Sequence, residues 1–208
     1  MRLGAAIAGR LRAEGWRVIT SSHRADAGAD IVADLAEPMG PAKLYAAALQ
    51  ILGGTPPDAL VNNAALFTDD AAAIAAVNLE APKKLTMLMA GRETGVGAMV
   101  NILDAGAGDS RGPSDSSQAY FASKRSLLDF TRSAAAMFAA TLRVNGVAPG
   151  PVLAPTGVHV KAGETLLDRR PTAEDVAAAV SYLLDAESVT GAVIPVDAGQ
   201  HLLREERL

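Results

Sequence analysis

Short apolar runs alternate with longer stretches of helical periodicity along this whole chain, and that alternation limits its possible folds more than any other feature. Runs suited to strands fall near Trp16–Thr20, Asp30–Ala33, Ala59–Asn62, Ala98–Leu103, Leu142–Val147 and Ala192–Val196. Between them, the spacing predicts helices over Gly4–Glu14, Pro41–Leu52, Ala71–Ala90, Gln118–Ala140 and Ala173–Asp185. Strands separated by helices are joined by crossovers rather than hairpins, which predicts a mostly parallel sheet covered on both faces. The stop signals agree: Gly15 closes the first helix, Gly53–Gly54 the second, and Thr172 with Asp175 forms a capping box for the last. No repeat or low-complexity linker divides the sequence, and 208 residues suit one α/β domain spanning 1–208.

Composition narrows the class. Half of the residues are hydrophobic but only 4% are aromatic, so the core volume comes from small aliphatic side chains suited to close helix–sheet packing. A net charge of −4 offers no basic face to nucleic acid or an anionic membrane. The absence of cysteine removes disulfide and thiolate chemistry and fits a reducing, cytoplasmic setting. No apolar run is long enough to cross a membrane as a helix. The arginines in the first twelve residues could suggest a targeting leader, but Glu14 follows and the segment runs straight into a strand-like stretch. It reads as the first helix of the fold.

In open parallel sheets, ligands bind beyond the carboxyl ends of the strands. Those positions here hold Ser21-Ser22-His23-Arg24, Asp34-Leu35, Asn63-Ala64-Ala65, Asp104-Ala105-Gly106 and Pro149-Gly150-Pro151. Each stretch alone is an ordinary turn; the ordered set suits a nucleotide crevice. On the helix Gln118–Ala140, Tyr120 and Lys124 are four residues apart and share a face. A phenol is a poor acid or base near neutral pH, and an ammonium group one turn away is expected to lower its pKa. Such a pair can pass a proton to a carbonyl oxygen as a hydride arrives.

These residues stand in a fixed order: Asn62-Asn63-Ala64-Ala65, Val77-Asn78-Leu79, Asp104, Tyr120-Phe121-Ala122-Ser123-Lys124, then Arg143-Val144-Asn145-Gly146-Val147-Ala148-Pro149-Gly150. Thr190-Gly191 and Val196-Asp197-Ala198-Gly199 close the series. In this order, and over nearly its whole length, the chain resembles the short-chain dehydrogenase/reductase family. The resemblance implies a doubly wound, Rossmann-like α/β sheet and a nicotinamide cofactor. It makes Tyr120 the general acid/base, Lys124 its tuning group and ribose contact, and Asn78 the holder of a proton-relaying water. Asn63, Ala64 and Ala65 would lie along the adenosine side, Asp34 and Leu35 at the adenine, and Pro149, Gly150 and Val152 around the nicotinamide. Family members pair through the helices that here are Ala71–Ala90 and Gln118–Ala140, which implies a homodimer or homotetramer.

Within the family, an aspartate at position 104 resembles pteridine and dihydromonapterin reductases, where most members carry serine. The opening Arg2-Leu3-Gly4 and the tail Asp197-Ala198-Gly199-Gln200-His201-Leu202 resemble them too. A carboxylate can accept hydrogen bonds from an amino-pterin ring or help protonate a ring nitrogen. Asp104 also reads as an Asx turn, and its spacing to Tyr120 is longer than in those reductases, so that Ser110, Ser114, Ser116 or Ser117 could supply a hydroxyl instead. After the second strand stand Ser21, Ser22, His23 and Arg24, with no acid until Asp26. Basic residues there accommodate the 2′-phosphate of NADPH, with Arg2 and Leu3 assigned to the cofactor as well.

The pattern departs from the family at the start, because the chain opens where the phosphate turn would already be ending. A further apolar strand and a Thr-Gly turn are expected upstream of Arg2. Without them, strand Trp16–Thr20 is expected to lie beside strand Ala59–Asn62. Three functional readings stay open: an NADPH-dependent reductase of C=O or C=N groups with a pterin substrate, a general carbonyl or acyl-thioester reductase, and a non-catalytic nucleotide-sensing relative.

Overall fold

The structure is a computed structural model that describes residues 3–93, 95–108, 115–152 and 165–205. Its elements run α1 (Leu3–Ala13), β1 (Ser21–Ser22), β2 (Ile31–Val32), α2 (Gly40–Ile51), β3 (Ala59–Asn62) and α3 (Ala71–Ala75). A π-helical segment (Ala76–Glu80) then leads into α4 (Ala81–Ala90), followed by β4 (Gly97–Ile102), α5 (Asp115–Met137) and β5 (Leu142–Pro149). The chain continues through α6 (Ala173–Asp185), β6 (Val193–Val196) and α7 (Leu202–Glu205). Every strand pair is parallel, and the strands form a four-stranded sheet ordered β3-β4-β5-β6 and a separate pair, β1-β2.

The larger sheet is covered on both faces, as the alternation of its side chains requires. Ala98, Val100 and Ile102 of β4 and Val147 of β5 meet Ile7 and Leu11 of α1 and Val176, Val180 and Leu183 of α6. On the other face, Met99, Leu142 and Val144 meet Tyr45 of α2, Leu85 and Met89 of α4, and Ala134 and Ala135 of α5. The Rossmann-like reading holds. The capping box also forms as expected: Thr172 Oγ1 accepts the Asp175 N–H, while Asp175 accepts the Thr172 N–H at 2.8 Å. Such a cap is worth about 1 kcal/mol. Gly15, Gly53 and Gly54 all take positive φ at the helix ends where they were expected. No described helix is long and apolar enough to cross a membrane.

Two expectations are corrected. Residues 16–20 form no strand, and β1 begins only at Ser21. They do not pair with β3: Trp16 and Val18 share an apolar cluster with Ala59 and Val61, but no backbone ladder joins the two segments. Their polar groups are met elsewhere, with the Thr20 N–H donating to Asp30 Oδ2 at 2.7 Å and the Val18 carbonyl accepting from Arg12 Nη2. The single helix expected over Ala71–Ala90 is interrupted by the π segment, whose central residue is the buried Asn78. π-Bulges are widened turns that frequently mark functional positions.

Candidate active site

The carboxyl end of β4 and the start of α5 bring the acid–base groups together. Tyr120 donates its hydroxyl to Asp104 Oδ2 at 3.1 Å, while Asp104 Oδ1 accepts the Gly106 N–H at 2.7 Å. Asp104 therefore closes the turn after β4, as the Asx-turn reading expects, and also holds the phenol. Lys124 lies beneath, 2% exposed, with its Nζ donating to the Ile102 carbonyl at 2.8 Å and 5.8 Å from the centre of the Tyr120 ring.

The expected depression of the Tyr120 pKa is not what this arrangement produces. Burial pushes the phenol well above its ordinary value, and the Asp104 carboxylate raises it further. Burial pushes Lys124 the other way, down to about 8, with Asp104 partly opposing the fall. The physical reason is placement: the ammonium group is spent on a backbone carbonyl under the ring, whereas a carboxylate meets the hydroxyl. The phenol is thus held firmly in its protonated form.

Asn78 commits its side chain to the loop after β3. Its Oδ1 accepts the Leu66 N–H at 2.7 Å, and its Nδ2 donates to the Leu66 carbonyl at 3.0 Å and to Ser123 Oγ at 3.1 Å. Ser123 in turn donates to the Tyr120 carbonyl at 2.6 Å. The π segment therefore anchors both the turn of α5 that carries Tyr120 and the loop that carries Phe67. That ring packs edge-on against Tyr120, with centroids 5.1 Å apart, and is 61% exposed. Phe67 was not singled out from the sequence, although an aromatic residue four positions after Asn63 was visible there. A polar ladder stiffens the same region: Asn62 Nδ2 donates to Asn101 Oδ1, and Asn101 Nδ2 to Thr131 Oγ1, all three residues being buried.

The residues expected to hold the cofactor line the strand ends with mixed success. Asn63 is half-buried and touches the start of α1: a Cβ on Gly4 would sit 2.7 Å from its Nδ2. Leu3 packs against the core face of α1 and α6, and Ala64 and Ala65 are exposed. Asp34 spends one oxygen on the Ala36 N–H, and Leu35 beside it is half-buried. Pro149 is buried, with Gly150 and Val152 partly exposed beyond it. A Cβ on Gly150 would lie 2.6 Å from that of Asp197. Asp197 is itself 2% exposed and accepts the Gly199 and His201 N–H groups, with His201 Nδ1 2.8 Å from its Oδ2. The small, exposed residues at the end of β3 fit a dinucleotide.

Ser22 accepts the Arg24 N–H, and His23 is exposed. Arg24 donates from Nε and Nη2 to the two carboxylate oxygens of Asp26, in a pair exposed to solvent. Arg2, Ser110 and Ser114 lie outside the described residues, and the side chains of Ser116 and Ser117 do so as well.

Comparison with known proteins gives one consistent result. The family model described as enoyl-(acyl carrier protein) reductase matches residues 2–201. A granaticin polyketide synthase protein of Streptomyces violaceoruber, designated ketoacyl reductase 2, is 32% identical over 234 residues, covering 97% of this chain and 92% of its own. Dihydromonapterin reductase of Shigella flexneri is 36% identical over 96 residues, which span 43% of this chain and 39% of that enzyme. Among solved structures, FolM alternative dihydrofolate reductase 1 from Brucella canis, complexed with NADP, superimposes with a TM-score of 0.84 at 30% identity. That match covers 97% of this chain and 91% of the other.

Proposed function

The chain belongs to the short-chain dehydrogenase/reductase family, and from that premise we propose that it is an NADPH-dependent reductase of a planar C=N or C=O substrate, with a pterin-type ring favoured. The observation that carries this reading is the Tyr120–Asp104 hydrogen bond, bordered by the exposed ring of Phe67. A nicotinamide cofactor supplies the hydride when bound; these side chains supply the proton and the orientation. Tyr120, kept protonated by burial and by Asp104, carries the proton for the reduction and releases it only as the substrate atom gains charge from the hydride. The charge left on the phenolate oxygen is balanced by Lys124 under the ring.

Asp104 offers carboxylate oxygens to ring N–H or amino groups, and the face of Phe67 offers a stacking surface to a flat heterocycle. Asn78 acts as a positioning residue, since its amide fixes the loop and the helix turn that carry those groups. At the other end of the cofactor, Arg24 and His23 receive the 2′-phosphate, and Asn63, Ala64 and Ala65 follow the adenosine. The small, exposed Ala64 leaves the backbone after β3 open to a bound nucleotide. Self-association uses α4 and α5, which expose Met87 and Met137.

The test is NADPH oxidation with dihydropterins and simple ketones, for the wild-type protein and Asp104→Ala. Pterin reduction should exceed ketone reduction, and the substitution should cut pterin turnover by at least about ten-fold more than ketone turnover. Equal losses on both substrates would leave Asp104 a turn residue and remove the pterin assignment. A second reading, reduction of a β-keto acyl thioester, is favoured by the ketoacyl reductase relative that covers most of this chain. An acetoacetyl thioester in the same panel separates the two.

A further inference from the structure

The turn that follows β1 holds its one arginine in a closed pair. Arg24 Nε donates to Asp26 Oδ1 at 2.9 Å and Nη2 to Asp26 Oδ2 at 2.6 Å, so a carboxylate occupies one edge of the guanidinium in the two-pronged manner that a phosphate would use. The backbone builds this contact. Ser22 Oγ accepts the Arg24 N–H, the 3-10 turn Ala25–Ala27 brings Asp26 back over Arg24, and Gly28 at φ 65° turns the chain away. Both side chains are largely exposed, at 61% and 68%. Arg24 holds the Asp26 carboxyl below its ordinary pKa, and His23 adds a weaker pull in the same direction. Asp26 therefore stays ionised throughout the neutral range.

Resting on the reading that Arg24 receives the 2′-phosphate of NADPH, we propose that Asp26 is a specificity-determining residue, an internal counter-ion that competes with that phosphate for Arg24 and tempers the preference for NADPH over NADH. An exposed ion pair is weak enough for a doubly charged ligand to displace. Displacement does not remove the cost, because the released carboxylate stays within two residues and repels the incoming phosphate. NADH carries a hydroxyl at that position, so the same carboxylate costs it nothing and can accept its hydrogen bond. Asp26 thus sets the ratio of the two affinities without touching the hydride-transfer end of the site.

The experiment measures dissociation constants for NADPH and NADH with the wild-type protein, Asp26→Asn, Arg24→Gln and the double variant, at low salt and at 0.5 M salt. Asp26→Asn keeps the shape of the turn and removes only the charge. It should tighten NADPH by about three- to ten-fold at low salt and less at high salt, while NADH changes by less than about two-fold. In the Arg24→Gln background most of that gain should vanish, because the contested group is gone. If Arg24→Gln weakens NADPH but Asp26→Asn leaves the NADPH-to-NADH ratio unchanged, the competition proposed for Asp26 is overturned alone. If Arg24→Gln leaves NADPH binding intact, the assignment of the 2′-phosphate to Arg24 fails and takes the proposal with it.

Discussion

In β4 every position is buried and in β5 all but Arg143 are, with six register pairs joining the two strands. In the β1-β2 pair each strand has two residues, and Ser21 and Val32 face solvent. The first region carries Asp104 at its end and packs against the helix that bears Tyr120 and Lys124; the second carries His23 and Arg24. On the proposed reading, proton chemistry is mounted on a core closed on both faces, while the recognition of one phosphate is mounted on a ladder that would be marginal by itself. Groups that must meet a reacting atom to within a fraction of an ångström need such support. A charge contact on a surface turn does not, and a soft mount can change partners at little cost to the fold.

The contrast is broken most directly by hydrogen exchange. The amides of Val100 and Val144, in the buried strands, should exchange at least about a thousand-fold more slowly than those of Ile31 and Ala33, which close the β1-β2 ladder onto Thr20 and Ser22. Comparable protection in the two regions would mean that they open as one unit. The next effect in size is kinetic. Tyr120→Phe removes the phenolic proton but keeps the ring against Phe67, and turnover should fall by at least about a hundred-fold while NADPH binding changes by less than about two-fold. Full activity in that variant would take Tyr120 out of the chemistry; a matching loss of NADPH affinity would mean that the two ends of the site are not independent.

The smallest effect sharpens the comparison through pH. Burial disfavours the charge of Lys124 in the folded protein and pushes its pKa down from 10.5 to about 8. Between those values the unfolded chain binds the extra proton, so the contribution of Lys124 to stability rises with pH from about 8 upward. The penalty for burying the ammonium group is fully present below pH 8. Lys124→Met should flatten that rise, which is at most about ten-fold in the unfolding constant per pH unit. Chemical denaturation of the two proteins at pH 7, 8, 9 and 10 measures it. Parallel pH profiles would show that Lys124 is not shielded as its place under Tyr120 requires.

What could be read from the residues follows the same division. The buried strands and α6 were legible because continuous apolar runs, the Thr172 cap and the glycine stops act locally. The stretch Trp16–Thr20 has strand composition, but a ladder needs a partner in space, and Thr20 is instead met by the Asp30 side chain. The break at Ala76–Glu80 contains neither proline nor glycine; it surrounds Asn78, whose reach to Leu66 twelve residues earlier is tertiary. The Tyr120–Lys124 spacing correctly placed the pair on one helix, yet the direction of the phenol shift depended on Asp104, sixteen residues away. The Arg24–Asp26 contact spans only two residues, and so was visible in principle: an arginine followed at that distance by an acid supplies its own counter-ion.

The close approach of Gly150 to Asp197 has a consequence for how this protein can be altered by inheritance or by design. The strand end that would border the nicotinamide and the segment that follows β6 fit each other so tightly that neither has room for a larger neighbour. Asp197 also organises the two residues that follow it closely, through the Gly199 and His201 N–H groups. The closing segment is therefore not an interchangeable module. A chimera that takes its last residues from a relative must inherit the matching strand end in the same step, and the two stretches, nearly fifty residues apart, behave as a single unit of exchange.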